Sequence, residues 1–348
     1  MNLYKREIRF WAGQESLLFP LAGKRILLSG ATGMIGKCLI DMLMEYNTQK
    51  DGHIHITALS RNEERAKERF FNYWGREDFR YIACDVNQPI PECGAVDYLI
   101  HAASNTHPLQ YAQDAIGTIA SNVIGTMNLL NYAAAHGTKR FCFLSSVEIY
   151  GENRGDTEKF DESYFGYIDC NTLRAGYPES KRLGETLCNA YQQTYGLDFV
   201  ISRLSRVYGP TMLLTDSKAI AQFIKKSAAG EDIILKSEGN QKYSYTYVTD
   251  AAAAVLYSLL YGEAGIAYNA ADELSDITLK EMAVYLAKIA DSKVIFQIPE
   301  EIERRGYSGT TKGMMDASRL KRLGWAPRIH IQEGLYDTVE TLKEKGSM

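Results

Sequence analysis

The chain has 348 residues, room for about two domains or one large α/β domain with an appendage. Apolar residues at 45% and charged residues at 24% exclude a disordered chain. Its 39 basic and 43 acidic residues leave a net charge of −4, which excludes the basic surface that a nucleic-acid backbone requires. Residues 1–22 mix Lys5, Arg6, Glu7, Arg9 and Glu15 with apolar positions. They lack the continuous apolar stretch of a secretory signal and read as an accessory helical segment packed outside the first strand. Arg25–Ser29 reads as a strand ending at a glycine, and the apolar spacing over Ile35–Tyr46 as a helix. Further strands are expected at 54–59, 80–83, 97–101 and 141–144, with helices over 63–73 and about 113–136 between them. This alternation implies an α/β fold with a doubly wound parallel sheet covered on both faces, because each parallel crossover needs a helix. Downstream come a strong helix over 177–195, a strand over 199–203, Gly- and Tyr-rich connections, and helices over 217–229 and 279–290. The longest apolar run, Ala251–Leu260, falls short of the ~20 residues of a membrane span. The six cysteines form no C-x-x-C pair and read as reduced thiols in a cytoplasmic protein. Several of the 23 tyrosines are expected to line a polar cavity.

Ser29-Gly30-Ala31-Thr32-Gly33-Met34-Ile35-Gly36 follows a strand and opens a helix, the setting in which a glycine pattern signals dinucleotide binding. Gly30 permits the tight turn, Gly33 lets backbone approach a pyrophosphate, and Gly36 lets helix and strand pack closely. Residues 23–204 therefore read as an NAD(P)-binding Rossmann domain. Residues 205–348 read mainly as a smaller C-terminal α/β substrate-binding domain, with some chain crossing back to the sheet. Enzymes that use NAD usually place an acid at the end of the second strand. This chain has Ser60-Arg61-Asn62 there, and the planar guanidinium of Arg61 suits a 2′-phosphate, so NADP is favoured over NAD. Asp85 is a candidate acceptor for the adenine amino group, as against an ordinary turn aspartate. The six histidines form no ligand motif, and no metal site is expected.

Tyr177-Pro178-Glu179-Ser180-Lys181 puts a phenol and an ammonium on one helix face. A free phenol has a pKa of ~10, and a nearby ammonium or an oxidised nicotinamide lowers it toward useful proton exchange. Ser146, after the fifth strand, offers a hydroxyl to orient a substrate oxygen. At these residues the chain resembles the extended short-chain dehydrogenase/reductase family of nucleotide-sugar epimerases, dehydratases and decarboxylases. The resemblance runs from about Lys24 to Pro327. It is carried by Gly30, Gly33, Gly36, Asp85, His101-Ala102-Ala103, Asn122 with Gly125-Thr126, Ser146, Tyr177, Lys181, Arg203–Pro210 and Asp316–Pro327.

The resemblance implies that Tyr177 is the acid/base, that Lys181 binds the nicotinamide ribose and tunes Tyr177, and that Ser146 orients the reacting oxygen. It implies cofactor contacts from Thr32, Met34, Ile35, Val86, Ala102, Ala103, Ser104 and Asn122, alongside the residues above. It also implies a homodimer built through the two long helices, about 113–136 and 177–195. Glu148 is the informative addition: dehydratases and decarboxylases of the family keep a glutamate there and simple 4-epimerases lack it. A carboxylate at that place could abstract a C5 proton made acidic by a 4-ketone. Val147 cannot protonate a leaving hydroxyl, which counts against 4,6-dehydration. Tyr243 stands where the family's diphosphate-gripping arginine is expected, and Arg206 where asparagine is usual. Arg206, with Lys242 second, is then the candidate anion ligand, as against a merely packed or salt-bridged residue. The leading expectation is an NAD(P)-dependent epimerase/dehydratase-type enzyme acting on a nucleotide sugar through a 4-keto intermediate in polysaccharide precursor synthesis. The alternatives are an NADPH-dependent reductase of a nucleotide-linked keto-sugar or polyol, and a non-catalytic dinucleotide sensor.

Overall fold

The computed structural model describes residues 2–106, 113–297 and 311–346. It opens on helix α1 (Leu3–Ala12) and a short turn of helix, α2 (Glu15–Leu18). Strand β1 (Arg25–Ser29) leads through the glycine turn into α3 (Met34–Lys50) and on to β2 (His55–Ser60), α4 (Glu63–Arg69) and β3 (Phe79–Ala83). The chain then returns to the other side of β1 as β4 (Tyr98–His101), followed by α5 (Ala115–Ala135), β5 (Arg140–Ser146), α6 (Gly176–Tyr195) and β6 (Phe199–Leu204). These strands form a sheet in the order β6-β5-β4-β1-β2-β3, every pair parallel. The strand order reverses between β1 and β4, and the crevice at their carboxyl ends is where a doubly wound sheet binds ligands. β6 is buried along its whole length, as expected of a parallel strand with both faces covered.

The second half alternates between the two layers. β7 (Arg206–Tyr208), α7 (Ala219–Ala228), β8 (Ile233–Leu235) and β9 (Lys242–Tyr247) belong to the smaller domain. α8 (Val248–Tyr261) then carries the chain back, and β10 (Ala267–Ala270) pairs in parallel with β6 as the seventh strand of the large sheet. The apolar run at 251–260 is thus a helix buried against the sheet. β11 (Asp272–Thr278) pairs antiparallel with β9, and α9 (Leu279–Ile289) begins with a capping box between Thr278 and Glu281. β12 (Val294–Phe296) pairs with β8, and β13 (Lys312–Gly313) with β9. The short α10 (Ser318–Lys321) and the terminal α11 (Ile331–Gly346) complete the order. Among the described residues no helix is long and apolar enough to cross a membrane.

Residues 1–22 were expected outside the fold, and from residue 2 onward the structure corrects this. Trp11, Leu17, Leu18 and Leu21 are buried in the main core. Glu7 is fully buried and its carboxylate pairs with Arg328 at 2.8 Å, so α1 is tied to the segment that enters α11. The signal missed in the sequence is the 8, 11, 12 spacing of Ile8, Trp11 and Ala12, one apolar stripe on a helix whose other face is charged.

Candidate active site

The glycine turn fits a dinucleotide on geometric grounds. Gly30 has φ +71°, a left-handed conformation, and a Cβ there would lie 2.5 Å from the backbone nitrogen of Ala103. A Cβ on Gly36 would lie 2.5 Å from the carbonyl oxygen of Gly30. These two glycines thus bring the β1 turn, the β4 end and the start of α3 into backbone contact. Gly33 is the N-cap of α3, and no side chain caps that helix. The first N–H groups of α3 are therefore left for a ligand anion at the crevice.

Most of the remaining expected cofactor residues follow the carboxyl ends of β2, β3 and β4. Ala102 donates its N–H to the carbonyl of Ser29, which seats the β4 end against β1. Ser60 shares a hydrogen bond with the Tyr81 hydroxyl at 3.2 Å, and Asn62 caps α4 by accepting from the N–H of Arg65. Arg61, between them, is exposed, and among the described residues it makes no hydrogen bond or ion pair. Asp85 accepts the N–H of Asn87 at 3.0 Å, so one carboxylate oxygen is engaged in a local turn. Val86 is buried against Gly125 of α5. Asn122 sits on the inner face of α5. It is fully buried, accepts from the Ser104 hydroxyl at 2.7 Å and donates to the Ser180 hydroxyl at 2.9 Å. Its amide joins the loop after β4 to α6, next to Lys181, which makes it a positioning group. His101 is likewise structural: it bridges Ser29 and Thr126 in the core, and burial holds its imidazole well below the ordinary range.

The catalytic pair lies on α6 beside the end of β5. Tyr177 and Lys181 are both buried, one helical turn apart. Ser146 lies close enough to the Tyr177 phenol to favour its ionised form, and it caps the one-turn helix Val147–Tyr150 by accepting the N–H of Glu148 at 3.2 Å. Burial, with a smaller push from Glu148, raises the phenol to about 12 against Ser146 and Arg174, which lower it. Lys181 sits one turn further along α6. Its ammonium donates to the carbonyl of Leu144 at 2.8 Å and lies 4.7 Å from the centre of the Phe143 ring. Burial brings it down to about 7, partly opposed by Glu185. Glu185 in turn holds the buried Arg203 through two hydrogen bonds of 3.1 and 2.7 Å.

Beyond the phenol lies a cluster of charges. Glu148 pairs with Arg174 at 2.6 Å through one carboxylate oxygen and with Arg206 at 3.3 Å through the other. The Arg206 guanidinium stacks on the Tyr243 ring with its carbon 3.7 Å from the ring centre. Arg206 and Tyr243 thus share one place, as their exchange against the family pattern implied, and Arg206 directs a donor at Glu148. Arg174 was missed by sequence reasoning. It lies in a short turn before α6, where no periodicity marks it, and only its position three residues before Tyr177 could have flagged it. Lys242 does not join the cluster. Neighbouring residues of a strand face opposite sides, so Lys242 turns away from the face on which Tyr243 meets Arg206. The buried tyrosines of β9, at 243, 245 and 247, line the inner face of the small sheet.

Comparison with known proteins agrees with this geometry. Residues 26–271 match the model of the NAD dependent epimerase/dehydratase family. The chain is 30% identical over 314 residues to UDP-glucuronic acid decarboxylase 3 of Arabidopsis thaliana, covering 89% of this chain and 86% of that one. It is 30% identical over 319 residues to UDP-glucuronic acid decarboxylase 1 of Danio rerio, covering 91% and 72%. In fold it is similar to DesIV, a dTDP-glucose 4,6-dehydratase of Streptomyces venezuelae solved with NAD and TYD, with TM-score 0.79, 23% identity, and coverage of 93% and 98%. A UDP-glucuronic acid 4-epimerase of Bacillus cereus, solved with UDP-glucuronic acid and NAD, superposes with TM-score 0.78 at 19% identity, covering 92% and 99%.

Proposed function

Because the chain belongs to the NAD dependent epimerase/dehydratase family, we propose that it is an enzyme that modifies a nucleotide sugar through a 4-keto intermediate. The observation that carries this reading is the Ser146–Tyr177–Lys181 arrangement joined through Asn122 to the glycine crevice. When bound there, a nicotinamide supplies a hydride acceptor and, in its oxidised form, a positive charge that favours the Tyr177 phenolate. Tyr177 takes the proton of the sugar's C4 hydroxyl and returns it when the ketone is reduced. Ser146 holds the same oxygen through its hydroxyl. Lys181, fixed on Leu144, presents its remaining donors to the cofactor ribose. The 4-ketone acidifies the C5 hydrogen, and Glu148 is the carboxylate within reach of that side of the ring. The relatives that are 30% identical are UDP-glucuronic acid decarboxylases, which makes UDP-glucuronic acid the first substrate to try.

The test is incubation with UDP-glucuronic acid and other UDP-, dTDP-, CDP- and GDP-sugars, followed by product chromatography and absorbance at 340 nm. A recycling enzyme converts substrate with no net change in reduced cofactor. Net consumption of NADPH instead favours the reductase reading, to which the exposed Arg61 at the end of β2 lends support. If NADP is the preferred cofactor, Arg61→Ala narrows the preference for NADP over NAD. An unchanged ratio of affinities removes that preference. A protein that binds dinucleotide and converts no nucleotide sugar is a sensor.

A further inference from the structure

We propose that Arg206 is a positioning residue for the Glu148 carboxylate, with Tyr243 as the platform that holds it, and that it is not a diphosphate ligand. The proposal rests on the functional reading above and assigns it a further residue. Glu148 enters from the one-turn helix after β5, Arg174 from the turn before α6, and Arg206 from the first position of β7. Each guanidinium takes a different oxygen of the same carboxylate, so the plane of the carboxylate is set by two separate segments of chain. The side chain of Glu148 is 14% exposed and that of Arg206 24%, so this pair is shielded from the solvent that makes most surface pairs negligible.

Strand pairing explains why Arg206 reaches this place. β7 runs parallel to β9 with Arg206 opposite Tyr245, one step along from Tyr243. Tyr243 is buried, and its ring centre lies 3.7 Å from the guanidinium carbon. That contact closes one face of Arg206 and leaves its edge toward Glu148. Among the described residues, groups that face the carboxylate include Arg174, Arg206, the Tyr177 phenol and the Tyr243 phenol. An arginine at 243, as in relatives, would put a second cation where this chain has the platform. The two departures from the family pattern thus meet in one contact, with the arginine on β7 and the aromatic ring that it packs against on β9.

The experiment uses the full chain and the nucleotide sugar that it converts. Arg206→Asn is expected to lower kcat by about 10- to 100-fold, the cost of a misplaced reacting group, with KM within about threefold of the wild type. Tyr243→Leu, which removes the platform, is expected to lower kcat selectively as well. Arg206→Lys restores part of the loss, since it keeps the charge and gives up the planar stack. UDP, or the nucleoside diphosphate of the substrate, should bind Arg206→Asn as it binds the wild type in calorimetry. A diphosphate ligand gives the opposite pattern: kcat retained, with KM and the diphosphate Kd raised about tenfold or more. That pattern overturns the proposal. If no nucleotide sugar is converted at all, it is the functional reading that fails. The positioning role is then decided by crystal structures of the two forms. Glu148 in one rotamer in the wild type and in several in Arg206→Asn supports it, and an unmoved Glu148 overturns it.

Discussion

Tyr177 is where the chemistry concentrates, and its surroundings define its resting state. Burial drives the phenol up to about 12, so the chain alone keeps it protonated at neutral pH and ready to donate. Taking a proton requires positive charge brought to the site. Lys181 sits lower than an ordinary lysine, at about 7, because it is buried against Phe143 and Leu144. Tyr177→Phe keeps the ring and removes the proton carrier. Turnover should fall by about 10²- to 10⁴-fold, with dinucleotide binding and melting temperature little changed. Turnover within about threefold of the wild type would take the acid/base role away from this phenol.

Helices α5 and α6 do two jobs at once. Their inner faces carry Asn122, Ser180, Tyr177 and Lys181 to the carboxyl ends of the strands. Their outer faces leave apolar residues in solvent: Ile116 is 84% exposed, and Ile119, Ile124, Met127 and Leu183 are also exposed. The four residues on α5 recur at helical spacing and form a stripe that a second copy of the chain would cover. We propose a homodimer through this helix pair. Sedimentation of the wild type should give twice the chain mass, and Ile116→Glu with Leu183→Glu should give the monomer. A monomeric wild type at micromolar concentration would contradict the proposal.

The two layers and both ends of the chain are fastened by buried carboxylates. Asp250 of α8 accepts the N–H groups of Arg328 and Ile329, each at 2.8 Å, and Glu7 of α1 holds the side chain of Arg328. Asp337 of α11 accepts the N–H of Leu3 at 2.9 Å and the Tyr247 hydroxyl at 2.7 Å. Burial raises Asp250 to about 7, against the two N–H groups that lower it. Its folded value thus lies above the unfolded one of ~3.9, so its stabilising contribution is complete below that value and is lost as pH rises through about 7. Asp250→Asn keeps an acceptor for both N–H groups and cannot ionise. By calorimetry, its melting temperature relative to the wild type should climb by roughly 2–6 °C between pH 5 and pH 8. A difference that stays flat with pH would place the carboxyl's titration elsewhere.

The large sheet, the glycine crevice and the Tyr177–Lys181 pair were legible from amino-acid order, because each rests on local rules. Apolar spacing sets helices and strands, glycine alone fits a left-handed turn or a backbone contact, and residues four apart share a helix face. β10 was not legible as the seventh strand, since its four residues gain their role by pairing with β6, more than sixty positions away. The anchoring of α1 by Arg328 and the engagement of Glu148 by Arg174 and Arg206 escaped for the same reason. Ion pairs between distant segments leave no period in a sequence. Lys242 and Tyr243 show the limit most directly: adjacent in the chain, they face opposite sides of β9, and which side meets Arg206 is settled only when β7 docks alongside.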